Sequence, residues 1–459
     1  MGDPEVTVVI PVHDMRTQLR NTLRGLRSQT VPADRFEVIV VDDASADGTL
    51  DPGEPGPGAH WEVVRTDPGR GAAAARNTGA ARARGAVLVF LDADCLPHPD
   101  MLARHRAAQT GEGVAATGYT YARELTPEQW DLLYGTDWDF GDPAAVFSRA
   151  EREPRLHDAR ADLLTRPFDC SWAYFWSSVV SLRRADFERV GGFCEEFPGK
   201  GVEDMEMGYR LRRAGIPTVL LGDALAFHQP HARDRRADLV RDRCNDFLML
   251  RLHPGMEVEA VCAFGAPGAR ALEPALRSFA ERLDPASVDT ARLGELPRAV
   301  KALDAPDGTL LLGDDAGWPE RAPRPARTVS PARRGGDRLL GARLPFATGA
   351  FGAAVVTDYW RTLPEPTLCR VLDEAARCAR RLILLDGAAT RPPIGPDPAL
   401  SAALEHGDRP WWEFSFPLRR ELHQFRLTEL DSAPGGPRAL EVEPLPWSTG
   451  SFSGVLDAV

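Results

Sequence analysis

The start of the chain alternates two kinds of segment, and that alternation restricts the fold more than any other feature. Residues 6–12 (VTVVIPV), 36–41 (FEVIVV) and 86–91 (AVLVFL) are apolar runs rich in β-branched residues. Such runs suit strands buried on both faces of a parallel sheet, because a half-exposed strand would turn polar at every second residue. A short candidate strand at 61–65 joins them. Helical segments lie between. In 17–28 leucines recur at Leu19, Leu23 and Leu26 with arginines on the other face, and 71–86 is rich in alanine and arginine. The order strand, helix, strand, helix, strand implies an open, mostly parallel, Rossmann-like α/β sheet whose ligands sit at the carboxyl ends of its strands.

Carboxylates occupy those ends. Pro11-Val12-His13-Asp14 follows the first run, Asp42-Asp43 the second and Asp92-Ala93-Asp94 the run at 86–91. A dinucleotide oxidoreductase would carry GxGxxG directly after its first strand, where this chain has proline and no glycine. Two carboxylates one residue apart at a strand end can hold a divalent ion, and such an ion offsets charge building on a departing diphosphate. An isolated Asp-x-Asp arises by chance in an acidic chain; its place after VLVFL gives this one weight. Asp42-Asp43 reads equally as a strand stop with Ser45 capping the next helix, or as an aspartate that accepts a hydrogen bond from the imide N–H of uracil. Arg76 follows GRGAAAA and can engage phosphate oxygens two at a time, although by itself it reads as a solvated helix arginine like Arg82 and Arg84.

Further along, aromatic residues (Trp130, Tyr134, Trp138, Trp172, Trp176) mark a less regular stretch to which acceptor contacts are assigned. Helices are expected at 183–193, stopped by Gly191-Gly192, and at 201–214, stopped by Gly215. The second opens with Glu203, Asp204 and Glu206, acids that ordinarily offset the helix dipole; a cleft-facing one can instead take the proton of an attacking hydroxyl. A strand at 219–227 delivers His228 to the same sheet edge. That histidine is a structural residue unless it meets Asp94, in which case a neutral imidazole completes a metal site.

The length of 459 residues calls for two domains, divided at 1–254 and 255–459. The second restarts the pattern, with a Pro/Arg-rich loop at 317–336 and then a strand, a helix at 366–380 and a strand in RLILLDG. A net charge of -12 argues against a general nucleic-acid binder. Seven cysteines without a CxxC pair read as buried free thiols of a reducing compartment. Neither a secretory leader nor an apolar run of about 20 residues is present, so a cytoplasmic protein without an integral membrane segment is expected.

Taken in order, VIPVHD, VVDDAS, ARNTGAARARG, LDADC and VGGFCEEFPGKGVEDMEMGYRLRRAG resemble the large inverting GT-A glycosyltransferase family, family two, over residues 6–231, the last resembling its galactosyltransferase-type carboxyl-terminal part. The resemblance implies a GT-A nucleotide-sugar-binding fold. It implies that Pro11, His13 and Asp14 line the base pocket, that Asp43 contacts uracil and that Arg76 lies near the donor. Asp92 would touch ribose or metal, Asp94 would bind Mg2+ or Mn2+, and His228 would complete the coordination. Asp204 would be the catalytic base, and Glu203 would hold the acceptor or the transferred sugar. Cys194 stands where the family commonly has aspartate, and Lys200 where relatives often carry an aromatic, which opens the sugar preference.

The second half resembles, loosely, a class I methyltransferase in LPFATGAFGAAVVTDYWRTLP and RLILLDG. The glycine-rich turn that binds S-adenosylmethionine is missing, so a domain without cofactor is expected, with Trp411-Trp412 and Phe414 as a contact or a core. The expected activity is inverting transfer of a hexose, of glucose or galactose type, from a UDP-sugar to an acceptor hydroxyl, with a small-molecule natural product as acceptor. Two alternatives stand beside it: a bifunctional protein with an active methyltransferase, and a non-catalytic sugar-binding scaffold.

Overall fold

The structure, a computed structural model, describes residues 3–49, 56–57, 60–123, 133, 137–162, 164, 169–231, 235–282, 290–315, 318–331, 338–363, 365–386, 425–433 and 437–444. Trp130, Tyr134, Trp411, Trp412 and Phe414 lie outside these residues. The chain divides into two compact units, Met1–Asn245 and Asp246–Val459. The boundary thus falls earlier than residue 254, because the helix Arg235–Leu252 gives the sequence no visible break before Pro254.

The first unit is built on an eight-stranded sheet of β1 (Val6–Val12), β2 (Phe36–Asp43), β3 (His60–Thr66), β4 (Val87–Leu91), β5 (Cys95–Pro97), β6 (Ala115–Tyr121), β7 (Val179–Arg183) and β8 (Thr218–His228). Their spatial order is β3-β2-β1-β4-β7-β6-β8-β5. The apolar runs form the parallel half: β2 with β3, β1 with β2 and β1 with β4. Beyond β4 the direction alternates, since β7 is antiparallel to both neighbours, β6 and β8 are parallel, and β5 runs antiparallel to β8. This is the expected α/β GT-A arrangement, with an antiparallel extension that the sequence did not announce.

Helix α1 (Arg16–Arg27) covers one face, where Leu19, Leu23 and Leu26 pack with Val8, Ile10 and Val38. Each of these leucines, at most 2% exposed, contributes about 1.5–3 kcal/mol of burial. Helix α2 (Ala72–Ala80) lies on the other face, so close that a Cβ on Gly79 would stand 2.4 Å from Val9 Cγ1. It stops at Ala80 and not near residue 86, because the following residues turn to bring Gly85 against the backbone of Thr7. The helices expected at 183–193 and 201–214 are α3 (Arg184–Val190), closed by a left-handed Gly191, and α4 (Glu203–Arg213).

The second unit contains a six-stranded sheet of β9 (Thr309–Leu312), β10 (Arg327–Val329), β11 (Ala353–Val356), β12 (Leu382–Asp386), β13 (Phe425–Ser432) and β14 (Arg438–Pro444), ordered β10-β9-β11-β12-β14-β13. The first four are parallel and the last two form an antiparallel pair at one side. The Pro/Arg-rich segment 317–336 is therefore not all loop, since Arg327–Val329 is short but pairs with β9. At the switch point between β9 and β11, Gly313 (φ 147°) leaves no room for a side chain: an added Cβ would lie 2.2 Å from Thr357 Oγ1. Among the described residues no helix is long and apolar enough to cross a membrane.

Candidate functional site

The loops after β1 and β2 are laced together at the carboxyl edge of the first sheet. Pro11 sits opposite Val41 in the β1–β2 ladder. His13 Nδ1 lies 2.7 Å from the carbonyl of Asp43, and the Asp14 carboxylate accepts from the amides of Ala46 (2.7 Å) and Asp47 (3.3 Å). Asp14 and Ala44 take left-handed backbone (φ 51° and 62°), uncommon away from glycine. Asp43 accepts from the Thr66 hydroxyl (2.6 Å) and the amides of Arg70 (2.7 Å) and Gly71 (2.8 Å). Burial alone would raise its carboxyl, but these donors hold it below the ordinary range, so it is a charged, acceptor-only group. Asp42, by contrast, is fully buried, paired with Arg65 at 2.8 Å and accepting from the Ser45 amide at 3.0 Å.

Asp94, His228 and His231 converge at the other end of this edge, their ligand atoms all within 4.8 Å of one another. His228 Nε2 lies 3.5 Å and His231 Nε2 3.1 Å from Asp94 Oδ2. Register explains the first meeting, since Cys95 pairs with His228 across β5 and β8. The turn between the histidines is pinned: the Gln229 amide donates to the Asp94 carbonyl (2.8 Å), Asn21 donates to the Gln229 side chain (2.8 Å), and Gln18 donates to the Pro230 carbonyl (3.1 Å). One carboxylate and two imidazoles, nearly dry, form a donor set that fits a divalent transition ion. His231 went unnoticed in the sequence because it lies beyond the strand, where no periodicity points to it.

Asp92 stands apart from this cluster. Its Oδ1 accepts from Arg76 Nη2 at 2.9 Å, while Arg76 Nη1 donates to Glu203 Oε1, also at 2.9 Å. Arg76 is 3% exposed and lies over the Phe193 ring at 5.3 Å. Its terminal nitrogens thus meet protein carboxylates, a different engagement from the solvated or phosphate-seeking arginine expected. Burial pushes the Asp92 carboxyl up; Arg76 pulls against it, Asp94 adds to the push, and Arg123 adds to the pull. Burial and the neighbouring Asp204 push Glu203 up against the pull of Arg76.

Asp204, half-buried, accepts from the Ser177 amide (3.3 Å) and hydroxyl (3.4 Å) through one oxygen and from the Met205 amide (2.8 Å) through the other. Val202, just ahead of α4, is a β-branched residue at φ 71°, which redirects the chain at the entry to Glu203-Asp204. Lys200 is exposed, and Cys194 half-buried, in the segment leading to that turn. Of the aromatics assigned to acceptor contacts, Trp172 is core, buried edge-on against Tyr209 at 5.1 Å. Trp138 stacks with Phe140 and Arg149, and Trp176 remains partly open.

Residues 7–171 match the family described as glycosyl transferase family 2, and residues 165–226 match the one described as the N-terminal domain of galactosyltransferase. Validoxylamine A glucosyltransferase of Streptomyces hygroscopicus subsp. jinggangensis is 35% identical over 271 residues, 55% of this chain and 62% of that protein. Its counterpart in subsp. limoneus is also 35% identical, with 58% of its length matched. Glycosyltransferase AglE of Haloferax volcanii is 39% identical over 117 residues, 25% of this chain and 38% of that one. The chain therefore spans about three fifths of the length of the first two relatives. Among solved structures, the mannosyltransferase PcManGT from Pyrobaculum calidifontis in complex with GDP-Man and Mn2+ is 23% identical with a TM-score of 0.42, covering 62% of this chain and 77% of that one.

Proposed function

We propose that the chain, whose residues 7–171 match glycosyl transferase family 2 and whose residues 165–226 match the N-terminal domain of galactosyltransferase, is an inverting, metal-dependent glycosyltransferase that moves a hexose from a UDP-sugar to a hydroxyl of a small polar acceptor. The observation that carries this reading is the convergence of Asp94, His228 and His231 at the sheet edge that also bears Asp43. The relatives named validoxylamine A glucosyltransferase favour a glucosyl unit and a small-molecule acceptor.

Asp43, charged and acceptor-only, is suited to the imide N–H of uracil, with Pro11, His13 and Asp14 framing the base beside it. Asp94, His228 and His231 would hold the ion, whose contribution when bound is to offset charge on the departing diphosphate. Asp92 would assist at the ribose. Asp204 removes the proton of the acceptor hydroxyl. The hydroxyl oxygen forms its bond to the anomeric carbon as the bond from that carbon to the diphosphate oxygen breaks, the electron pair leaving with UDP. One displacement inverts the centre, by the same logic as a single-step inverting glycosidase with the acceptor in place of water. Glu203, ahead of the base and tied to Arg76, would hold a hydroxyl of the acceptor or the transferred sugar.

The test is UDP release from a panel of UDP-sugars, with Mn2+ or Mg2+, by the wild-type chain, Asp94→Ala and Asp204→Asn. The expected outcome is slow hydrolysis of one donor, lost in Asp94→Ala, and faster with Mn2+ because Mg2+ prefers an all-oxygen shell to imidazoles. Asp204→Asn should lower turnover by about 100-fold or more, the contribution of a positioned base. No turnover or binding of any donor with either ion would remove the reading and leave a sugar-binding scaffold in its place.

A further inference from the structure

One cation near the metal cluster has not been given a task. Arg123 follows β6 by two residues, and Tyr121 in that strand pairs with Phe227, the residue before His228. The end of β8 therefore has Asp94 on its β5 side and Arg123 on its β6 side. Ala122, left-handed at φ 59° and buried, turns the chain at that point, so Arg123 leaves the line of the strand. Its guanidinium lies over the Trp176 ring at 5.2 Å, and Trp176 immediately precedes Ser177, whose amide and hydroxyl hold Asp204. Nε of Arg123 is buried yet has no hydrogen-bond partner among the described residues, a cost that ordinarily signals a missing acceptor. Arg123 thus follows the strand that flanks His228, with its guanidinium over the ring that precedes the Ser177 contact to Asp204.

We infer that Arg123 is a donor-binding residue of this site, its guanidinium taking the oxygens of the leaving diphosphate. The inference rests on the proposed nucleoside diphosphate donor. It also divides the work of two arginines: Arg76 is committed to protein carboxylates, and Arg123 supplies the planar fork that matches phosphate oxygens. Stacking on Trp176 pre-orders that fork, so little freedom is lost when a diphosphate arrives. Negative charge on the diphosphate rises as its bond to the anomeric carbon breaks, so the same contact tightens during transfer.

The test compares UDP with UMP in calorimetric titrations of the full chain with Mn2+, using wild type, Arg123→Met and Arg123→Lys. Wild type should prefer UDP. Arg123→Met should weaken UDP by about 10- to 100-fold, the worth of hydrogen bonds to a charged group, while UMP affinity and nucleotide-free Mn2+ affinity stay near wild type. A purely structural role would move all three together. Arg123→Lys, which keeps charge without the fork, should lose part of the preference and serves if the methionine variant does not fold. Equal UDP affinity in wild type and variants overturns the assignment of Arg123 alone. Failure of wild type to bind UDP or GDP with Mn2+ overturns the donor reading and this inference with it.

Discussion

Arg76 donates to Asp92 and Glu203 through separate nitrogens while hardly touching solvent. Removing a cation from such a place strands two carboxylates, which costs more than a surface pair ever returns. Arg76→Met should therefore destabilise the first unit by about 3 kcal/mol or more, read by denaturant unfolding, and Arg76→Lys should recover only part because one ammonium cannot fork. A loss under about 0.5 kcal/mol, the size of a surface effect, would refute the account. Residue types alone did not reveal this arrangement, since an arginine in an alanine-rich helix looks alike whether its tip meets water, phosphate or protein. His231 was hidden for a related reason, as a histidine three residues past His228 gains meaning only once the Gln229-Pro230 turn folds it back onto Asp94. Asp94 and His228, by contrast, were legible because each ends a strand whose apolar run is plain in the sequence.

Among the elements, α2 owes its place to small residues. Alanine is the better helix former than glycine by about 1 kcal/mol, so Gly79→Ala would stabilise an isolated helix. Here the added methyl would meet Val9 at 2.4 Å and Val41 at 3.2 Å, and overpacking of this kind costs about 1–3 kcal/mol. The expected outcome is net destabilisation in thermal unfolding; a rise in melting temperature would show that the sheet yields. The parallel strands β1, β2 and β4 were readable because burial on both faces leaves an unbroken apolar signature. Strand β6 was not, for AATGYTY mixes small and polar residues that reach burial through hydrogen bonds such as Thr117 Oγ1 to the Tyr174 carbonyl, 3.1 Å. The overlong reading of α2 has a similar origin: alanine and arginine continue past Ala80, but the return of the chain to β4 ends the helix.

At the scale of the whole molecule, each unit has a hydrophobic core of its own, and two thermal transitions are expected. Mn2+ with UDP should raise only the first unit's, since ligands stabilise the unit that binds them. The second unit has a pH dependence of its own. Burial lifts the Glu259 carboxyl from 4.5 to about 7 against the amides of Leu340, Arg343 and Gly341. Burial would lift Glu374 too, but Arg343 and Arg377 bring it from 4.5 down to about 2. Glu259 binds its proton more tightly when folded, so its contribution is full below 4.5 and lost as pH rises toward 7. Glu374 contributes above 4.5 and loses its contribution as pH falls toward 2. The second transition should therefore peak near pH 4.5, with Glu259→Gln flattening the alkaline side; a wild-type midpoint unchanged between pH 4.5 and 7 would contradict this. In the first sheet, among the described residues, β5 pairs with no strand but β8, the last strand of that sheet to leave the ribosome, and His228 and His231 emerge with it. A nascent chain that has built every earlier strand still possesses a single aspartate and no cage. On the proposed reading, metal affinity would be acquired all at once when β8 joins the sheet, while the second unit is still to be made, and an ion held tightly in the first unit would certify that its final strand has been threaded home.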